Sequence, residues 1–467
     1  MDTPTSPRKP SRIKRWHSVL LAVLAFIVAA GATLYAKSEQ IVLGAEAYIF
    51  GYPLVVMDVT RAHSALTVGP ENQLRRVRVF PDASFKGVVR PNVDTLYTSA
   101  FIDMAQGPWV FEMSANDQRY EVMPFMDAWT NVFAAPGTRL SGKAGGKFLL
   151  AGPNWTGIAP DGMQLLRSPT RIVWLIGRTQ TNGVTDYPVV HRLQDGLSLQ
   201  RWNAGVIGSQ TPAPAAAIRP QAKNPTPPAQ IMQEMDTNTF FTQLAALMVD
   251  NPPTDADQPM LMKLQRIGIA PGQPPQWGLL DRWSVALGRW IADFKVAQEL
   301  KKPRELVRGW STPPMILGQY GTSYNIRAVV AMVGLGANLP ADATYPQAQV
   351  DSQGNTLNGS KRYRLSFKAG ELPPVKAFWS VTAYGADDFL IENPIKRYAL
   401  GDRDPLVFNA DGSLDLWIQA DEPEAGKKSN WLPVKAGERF LLNARLYWPR
   451  EAALNGSWGM PAVERIQ

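Results

Sequence analysis

The sequence predicts a mainly β protein with a helical middle segment and an N-terminal membrane helix. Three observations lead there. An uncharged apolar run spans Trp16–Ala36. Short β-rich runs broken by turn residues fill the stretch from about Leu66 to Arg192 and return after Tyr345. Between them, Asp236–Lys301 repeats apolar side chains at helical spacing. With 467 residues, 45% hydrophobic and 19% charged, the chain has material for two or three cores and is too apolar for disorder.

The first segment, residues 1–15, is a basic tail that carries half of the net charge of +8. The rest is spread thinly, with no stripe dense enough to follow a phosphate backbone, so nucleic acid is not an expected partner. Residues 16–36, as a helix rising about 1.5 Å per residue, span roughly 30 Å, the thickness of a bilayer core. The basic tail should stay cytoplasmic, which delivers the body outside. Two forms stay open: an uncleaved inner-membrane anchor with the body in the periplasm, or a signal peptide cut near Ala30-Gly31-Ala32 that releases it there. No later segment reads as long and apolar enough to cross a membrane.

Residues 39–200 form an N-terminal β-domain. It opens on a helix, Glu39–Tyr52, which Gly51-Tyr52-Pro53 should stop. Strands are expected at 95–102, 109–113, 119–123, 147–150 and 171–176, a spacing that favours an antiparallel sandwich or barrel over βαβ units. Residues 201–235 form a Pro/Ala-rich linker. Residues 236–335 are helical: Asp236 can cap 237–249, and Leu279–Leu300 carries a stripe including Trp283, Leu287, Trp290 and Phe294 that is expected to face the core. A short helix covers 324–335. Residues 340–467 form a second β-domain, with strands at 361–367, 377–384, 405–408, 414–419 and 440–447. Asn409-Ala410-Asp411-Gly412 has hairpin chemistry.

Three stretches resemble a bacterial family. They are Arg90-Pro-Asn-Val-Asp-Thr-Leu-Tyr97, Phe378-Trp-Ser-Val-Thr-Ala-Tyr384, and Asn430-Trp-Leu-Pro433 followed by Arg445-Leu-Tyr-Trp-Pro449. The family joins domain of unknown function 1254 to domain of unknown function 1214. The resemblance covers roughly Glu39 to the C-terminus. It implies an exported protein with an immunoglobulin-like β-sandwich followed by a jelly-roll-like β-sandwich, and it implies no catalytic residues.

There is no cysteine and there are three histidines, which removes thiol nucleophiles and histidine- or cysteine-built metal cages. No cofactor and no metal are expected. Gly137–Lys143 mimics a phosphate loop, but Ala144 stands where Ser or Thr would hold Mg²⁺. The richest polar cluster is Arg90, Asn92, Asp94 and Tyr97, where an amide, a carboxylate and a phenol can converge on a ligand. The same residues can simply close an Asx-turn. Asp127 and Trp129 suit a platform for a sugar ring or aliphatic ligand, or packing at a sheet edge. Tyr324 and Arg327 share one helical face, and Arg327 can clamp a carboxylate or bind Asp342. Tyr384 and Arg397 are ligand-binding candidates in the second β-domain.

Two functions follow. The first is an envelope protein binding a carbohydrate or amphipathic small molecule through aromatic and polar residues. The second is an exported hydrolase or lyase using Asp94, Tyr97 and Asp127 for acid–base chemistry. The oligomeric state is left open.

Overall fold

The computed structural model describes residues 12–116, 119–203, 226–302 and 305–466. Most of the expected basic tail (1–11) and of the Pro-rich linker (204–225) lies outside the described residues. Helix α1 (Arg12–Ala36) has 25 residues, and its apolar stretch buries nothing against the body. Helix α2 (Ser38–Thr67) follows after Lys37 alone. It too is long and apolar enough to cross a membrane, contrary to expectation, but 78% of its apolar window is buried within the fold. The expected stop at Pro53 does not occur. A proline inside a helix forfeits one backbone hydrogen bond, and here the flanking turns are held by packing: Tyr48 to Met57 are all buried.

Two sheets of the first half enclose one core. In the larger sheet, strands Thr95–Asp103 and Ile172–Gln180 pair antiparallel along their whole length, and Phe125–Asp127 extends the sheet beyond them. In the smaller, Trp109–Met113 lies between Ser198–Arg201 and Gly146–Ala151. Alternation sends Ala100, Ile102, Val173 and Leu175 inward against Phe111, Phe148 and Leu150. The second half repeats the plan. Phe440–Tyr447 and Trp379–Gly385 centre one sheet, and Arg362–Phe367 and Leu414–Gln419 centre the other. Among the described residues no barrel is closed. The expected antiparallel order holds except for Gly146–Ala151 with Met163–Arg167 and Leu414–Gln419 with Trp431–Pro433, which pair parallel. Residues 405–408, expected as a strand, are irregular.

Helix α3 (Tyr187–Asp195) packs on strand Ile172–Gln180, while α4 (Pro228–Glu234), α5 (Thr237–Asp250), α6 (Gln258–Arg266), α7 (Leu279–Lys301) and α8 (Tyr324–Val333) pack around α2 as a layer on the outer face of the first large sheet. Asp236 caps α5 as expected, accepting from the Thr239 amide at 3.0 Å. Residues 228–234, assigned to the linker from sequence, begin this layer.

The tryptophan stripe on α7 does not enter the core: Trp283 is 47% exposed and Trp290 62%. The cause is the α2–α7 crossing. A Cβ on Gly288 would lie 2.3 Å from the Ile41 carbonyl oxygen, and one on Gly44 would lie 3.0 Å from the Val285 Cα. Backbones this close admit only the small face of α7 (Ser284, Val285, Gly288, Ala292), so the bulky side chains fall on the opposite side.

Candidate functional site

The two β-units meet along a seam made by alternate residues of their central strands. In Phe440–Tyr447, Leu442, Ala444 and Leu446 point into the second core. Their neighbours Asn443, Arg445 and Tyr447 therefore face the first unit. In Trp379–Gly385, Val381 and Ala383 go inward while Ser380, Thr382 and Tyr384 face the seam. On the other side, Tyr97 sits directly across from Arg178 on paired strands. The Arg178 guanidinium lies 5.0 Å from the centre of the Tyr97 ring, a cation–π arrangement.

Asn92 organises the first stretch. Its Oδ1 accepts from the Asp94 and Thr95 amides at 2.7 and 3.1 Å, an Asx-turn that opens strand 95–103. Its Nδ2 donates across the seam to the Tyr447 hydroxyl at 2.9 Å. Asp94 is fully buried, accepts from the Ser380 hydroxyl at 2.7 Å and pairs with Arg403. The Tyr384 hydroxyl donates to the Pro91 carbonyl at 2.7 Å and accepts from Arg445. Arg445 also donates to the Thr382 hydroxyl at 2.7 Å and the Arg90 carbonyl at 3.1 Å. The first two stretches singled out in the sequence (90–97 and 378–384) and the 445–449 part of the third thus converge in space. The other part of the third, 430–433, lies elsewhere, with the Trp431 indole bonded to the Gln419 carbonyl.

Beside this seam a cleft of about 2020 Å³ opens between the sheets and the helical layer. Its apolar wall comes from α2, α7 and α8, with Ile49, Val56, Ile326, Val329 and Met332 prominent. Its polar end holds Tyr97, Arg178, Tyr345, Asn443 and Arg445, with Asn92 and Arg90 at the rim. Asn338 links this end together, accepting from Arg178 and donating to the Tyr345 hydroxyl at 2.6 Å. Burial pushes the Tyr345 phenol up from its ordinary range, so it is a neutral hydroxyl at physiological pH. The same holds for Tyr384. The arrangement offers guanidinium, amide and phenol groups to a ligand.

The structure sorts the sequence candidates clearly. Arg90, Asn92, Tyr97 and Tyr324 line the cleft. Asp94 and Asp127, expected as a pair of catalytic carboxylates, do not line it. Asp127 is consumed by its own turn, accepting from the Trp129 and Asn131 amides at 2.9 and 2.8 Å, and burial raises its carboxyl to about 6. Trp129 offers no stacking face: it is buried against Phe50 and donates to the Asn251 carbonyl at 3.1 Å. Arg327 does not bind Asp342, which Arg139 holds through two bonds of 2.6 and 2.8 Å. Arg327 instead lies buried among Phe50, Trp129 and Tyr324, 5.2 to 5.6 Å from each ring centre, outside the cleft lining. Arg397 ties the 428–431 loop through its carbonyls and lies away from the cleft. Tyr384 is fully buried behind Arg445.

Sequence reading passed over Arg178, Asn338, Tyr345, Asn443 and Arg403, and read Arg445 only as part of a motif. The available signal was charge inside an apolar strand: Arg445 stands between the buried Ala444 and Leu446, and Arg178 follows the apolar run Ile172–Ile176.

Residues 71–201 match a family model described as protein of unknown function (DUF1254), and residues 342–451 match one described as protein of unknown function (DUF1214). The VPA0106 protein from Vibrio parahaemolyticus shares the fold. Its crystal structure superposes with a TM-score of 0.70 at 24% identity, over 92% of this chain and 100% of that one. A putative uncharacterized protein from Burkholderia cenocepacia aligns with a TM-score of 0.45 at 12% identity, covering 95% of this chain and 99% of that one. No curated protein matches the chain. The two matched domains, in this order and meeting at one seam, place the chain in the family that joins a DUF1254 domain to a DUF1214 domain.

Proposed function

We propose that the protein binds an amphipathic small molecule in the cleft beside the domain seam. Its body would lie in the periplasm, tethered to the inner membrane by α1 or released there after cleavage. Each pair of facing sheets would be a sandwich, immunoglobulin-like in the first unit and jelly-roll-like in the second. The observation that carries the functional reading is the cleft itself: about 2020 Å³, with one wall of helical aliphatic side chains and one end of buried polar groups. Small-molecule sites combine a mostly apolar lining with a few placed polar groups, and ordinarily occupy roughly 300–1,000 Å³. This cleft has the composition and exceeds the volume, which suits a long apolar body. A sugar ligand draws less support, because Trp129, the indole expected to stack on it, is buried. An acid–base enzyme draws less still, because Asp94 and Asp127 both lie outside the lining.

Native mass spectrometry of the full chain, purified in lipid nanodiscs, tests the reading. A co-purifying small molecule is expected on the wild type and is expected to be lost from Val329→Trp, which fills the apolar wall. A wild type that carries and accepts no amphiphile, or a variant that holds the molecule equally well, would refute it.

A further inference from the structure

The cleft has an electrostatic asymmetry that its shape alone does not require. Arg178 and Arg445 are 5% and 3% exposed, yet both border the cleft. A buried guanidinium is ordinarily paired with a carboxylate, because desolvating an unpaired charge is expensive. Neither has such a partner among the described residues. Arg178 is held by the Ile176 and Gly336 carbonyls, at 3.0 and 2.8 Å, and by the Asn338 amide oxygen. Arg445 is held by the Thr382 and Tyr384 hydroxyls and the Arg90 carbonyl. Asp94, the buried carboxylate nearest in charge, is already claimed by Arg403.

The neighbouring groups are donor-rich in the same direction. The hydroxyls of Tyr97 and Tyr345 each accept from an amide behind them (Asn92 at 3.3 Å, Asn338 at 2.6 Å), which leaves their own O–H to donate elsewhere. The Tyr345 hydroxyl lies within electrostatic reach of both arginines. Two buried atoms at this end have no partner: Arg178 Nε and Asn443 Oδ1. Asn443 is 4% exposed and lines the cleft. Its amide turned over would present Nδ2 there, as the two orientations have one shape. Buried polar groups are almost always satisfied, so these point to a missing occupant. Of the acidic lining residues, Glu46 stands on α2 and pairs with Lys263, Glu299 stands near the end of α7, and Glu305 is exposed on the segment after it.

We propose, building on the cleft-binding reading above, that the polar end is an oxyanion site: it takes the carboxylate, phosphate or sulfate head of an amphiphile between Arg178 and Arg445. Tyr97 and Tyr345 donate to the remaining oxygens, and the tail runs along α2 and α8. A planar guanidinium matches these oxyanions with two parallel bonds. The occupant supplies the negative charge that the fold omits, which an uncharged sugar or an alkyl alcohol does not.

The test is calorimetric titration of the full chain in phosphatidylcholine nanodiscs, with empty discs as reference. The ligands are octanoate, octyl phosphate, octanol, octyltrimethylammonium and inorganic phosphate. Octanoate and octyl phosphate are expected to bind at least tenfold more tightly than octanol, with no binding of the cationic amphiphile. Because Arg178→Gln removes an anchor of the 336–338 loop and can unfold it, the decisive variant is the near-isosteric Asn443→Asp. It places a carboxylate at the site and is expected to weaken octyl phosphate at least tenfold more than it weakens octanol. Octanol binding as tightly as octanoate, or an indifferent Asn443→Asp, would overturn the oxyanion site and leave the cleft reading standing. Inorganic phosphate binding as tightly as octyl phosphate would overturn the amphiphile. Binding of none of the probes would overturn both readings.

Discussion

The seam between the two β-units is held at its centre by Asp94, and Asp94→Asn measures how much that matters. The change is nearly isosteric and keeps an acceptor for the Ser380 hydroxyl, now at 2.7 Å. It removes the negative charge beside Arg403, whose side chain is 14% exposed and whose Nε already lacks a partner. Removing one partner of a buried ion pair typically costs about 3–5 kcal/mol, because the surviving charge stays buried and uncompensated. Partial relief is available. Asp402 lies nearby with its carboxyl raised to about 6, chiefly by burial and in part by the charge of Asp94. At neutral pH Asp402 is already largely ionised, so it still compensates part of the Arg403 charge when Asp94 is neutral, which places the cost near the lower limit, about 3 kcal/mol. At roughly 2–4 °C per kcal/mol for a unit of this size, melting should fall by about 6–12 °C. The assay is near-ultraviolet circular dichroism of the full chain in nanodiscs on heating at neutral pH. Asp94→Asn with Arg403→Met should recover at least half of the loss, since a buried pair replaced by apolar groups is often neutral. A single variant melting with the wild type, or two losses that simply add, would show that the pair does not fasten the seam.

Other perturbations probe separate features. Burial raises the Glu121 carboxyl from 4.5 to about 7 in the fold. Its protonated form therefore stabilises fully below about pH 4.5, and that contribution is lost as pH rises through about 7. Glu121→Gln should flatten this part of the stability profile and raise stability above pH 7 by up to roughly 3 kcal/mol, read from melting across pH. Gly288→Ala drives a methyl to 2.3 Å from the Ile41 carbonyl and should cost about 1–3 kcal/mol or more as α7 is pushed off α2. Thermal melting reports that loss. Trp290→Ser, on the exposed side of the same helix, should change stability by no more than about 0.5 kcal/mol in the same assay. A large loss there would mean that the stripe is covered in the native protein.

The chain's local patterns were legible wherever a side-chain period had one meaning. Strands 95–103, 109–113, 414–419 and 440–447, the cap at Asp236 and the exposed helix α1 all follow from alternation, capping chemistry or length. Patterns with two readings misled. Pro53 is a helix stop in isolation and a tolerated interior residue when neighbours pack around it. The α7 tryptophans repeat at a helical period, but periodicity does not say which face is buried; the glycine contact with α2 settles that.

For the site, the stretch 90–97 was visible as a polar cluster, and its Asx-turn was foreseeable from Asn92. Its partners were not: Asn92 meets Tyr447 across 355 positions of sequence, and Asp94 meets Arg403 across 309. Composition and local propensity depend on neighbours along the chain, and they suffice for the membrane-length helix, the β character and the absence of thiol chemistry. Which charges are buried together depends on how two separately folded sheets dock. That docking turned Asp94 from a candidate catalyst into a fastener and brought Arg178 and Arg445 to the same end of one cleft.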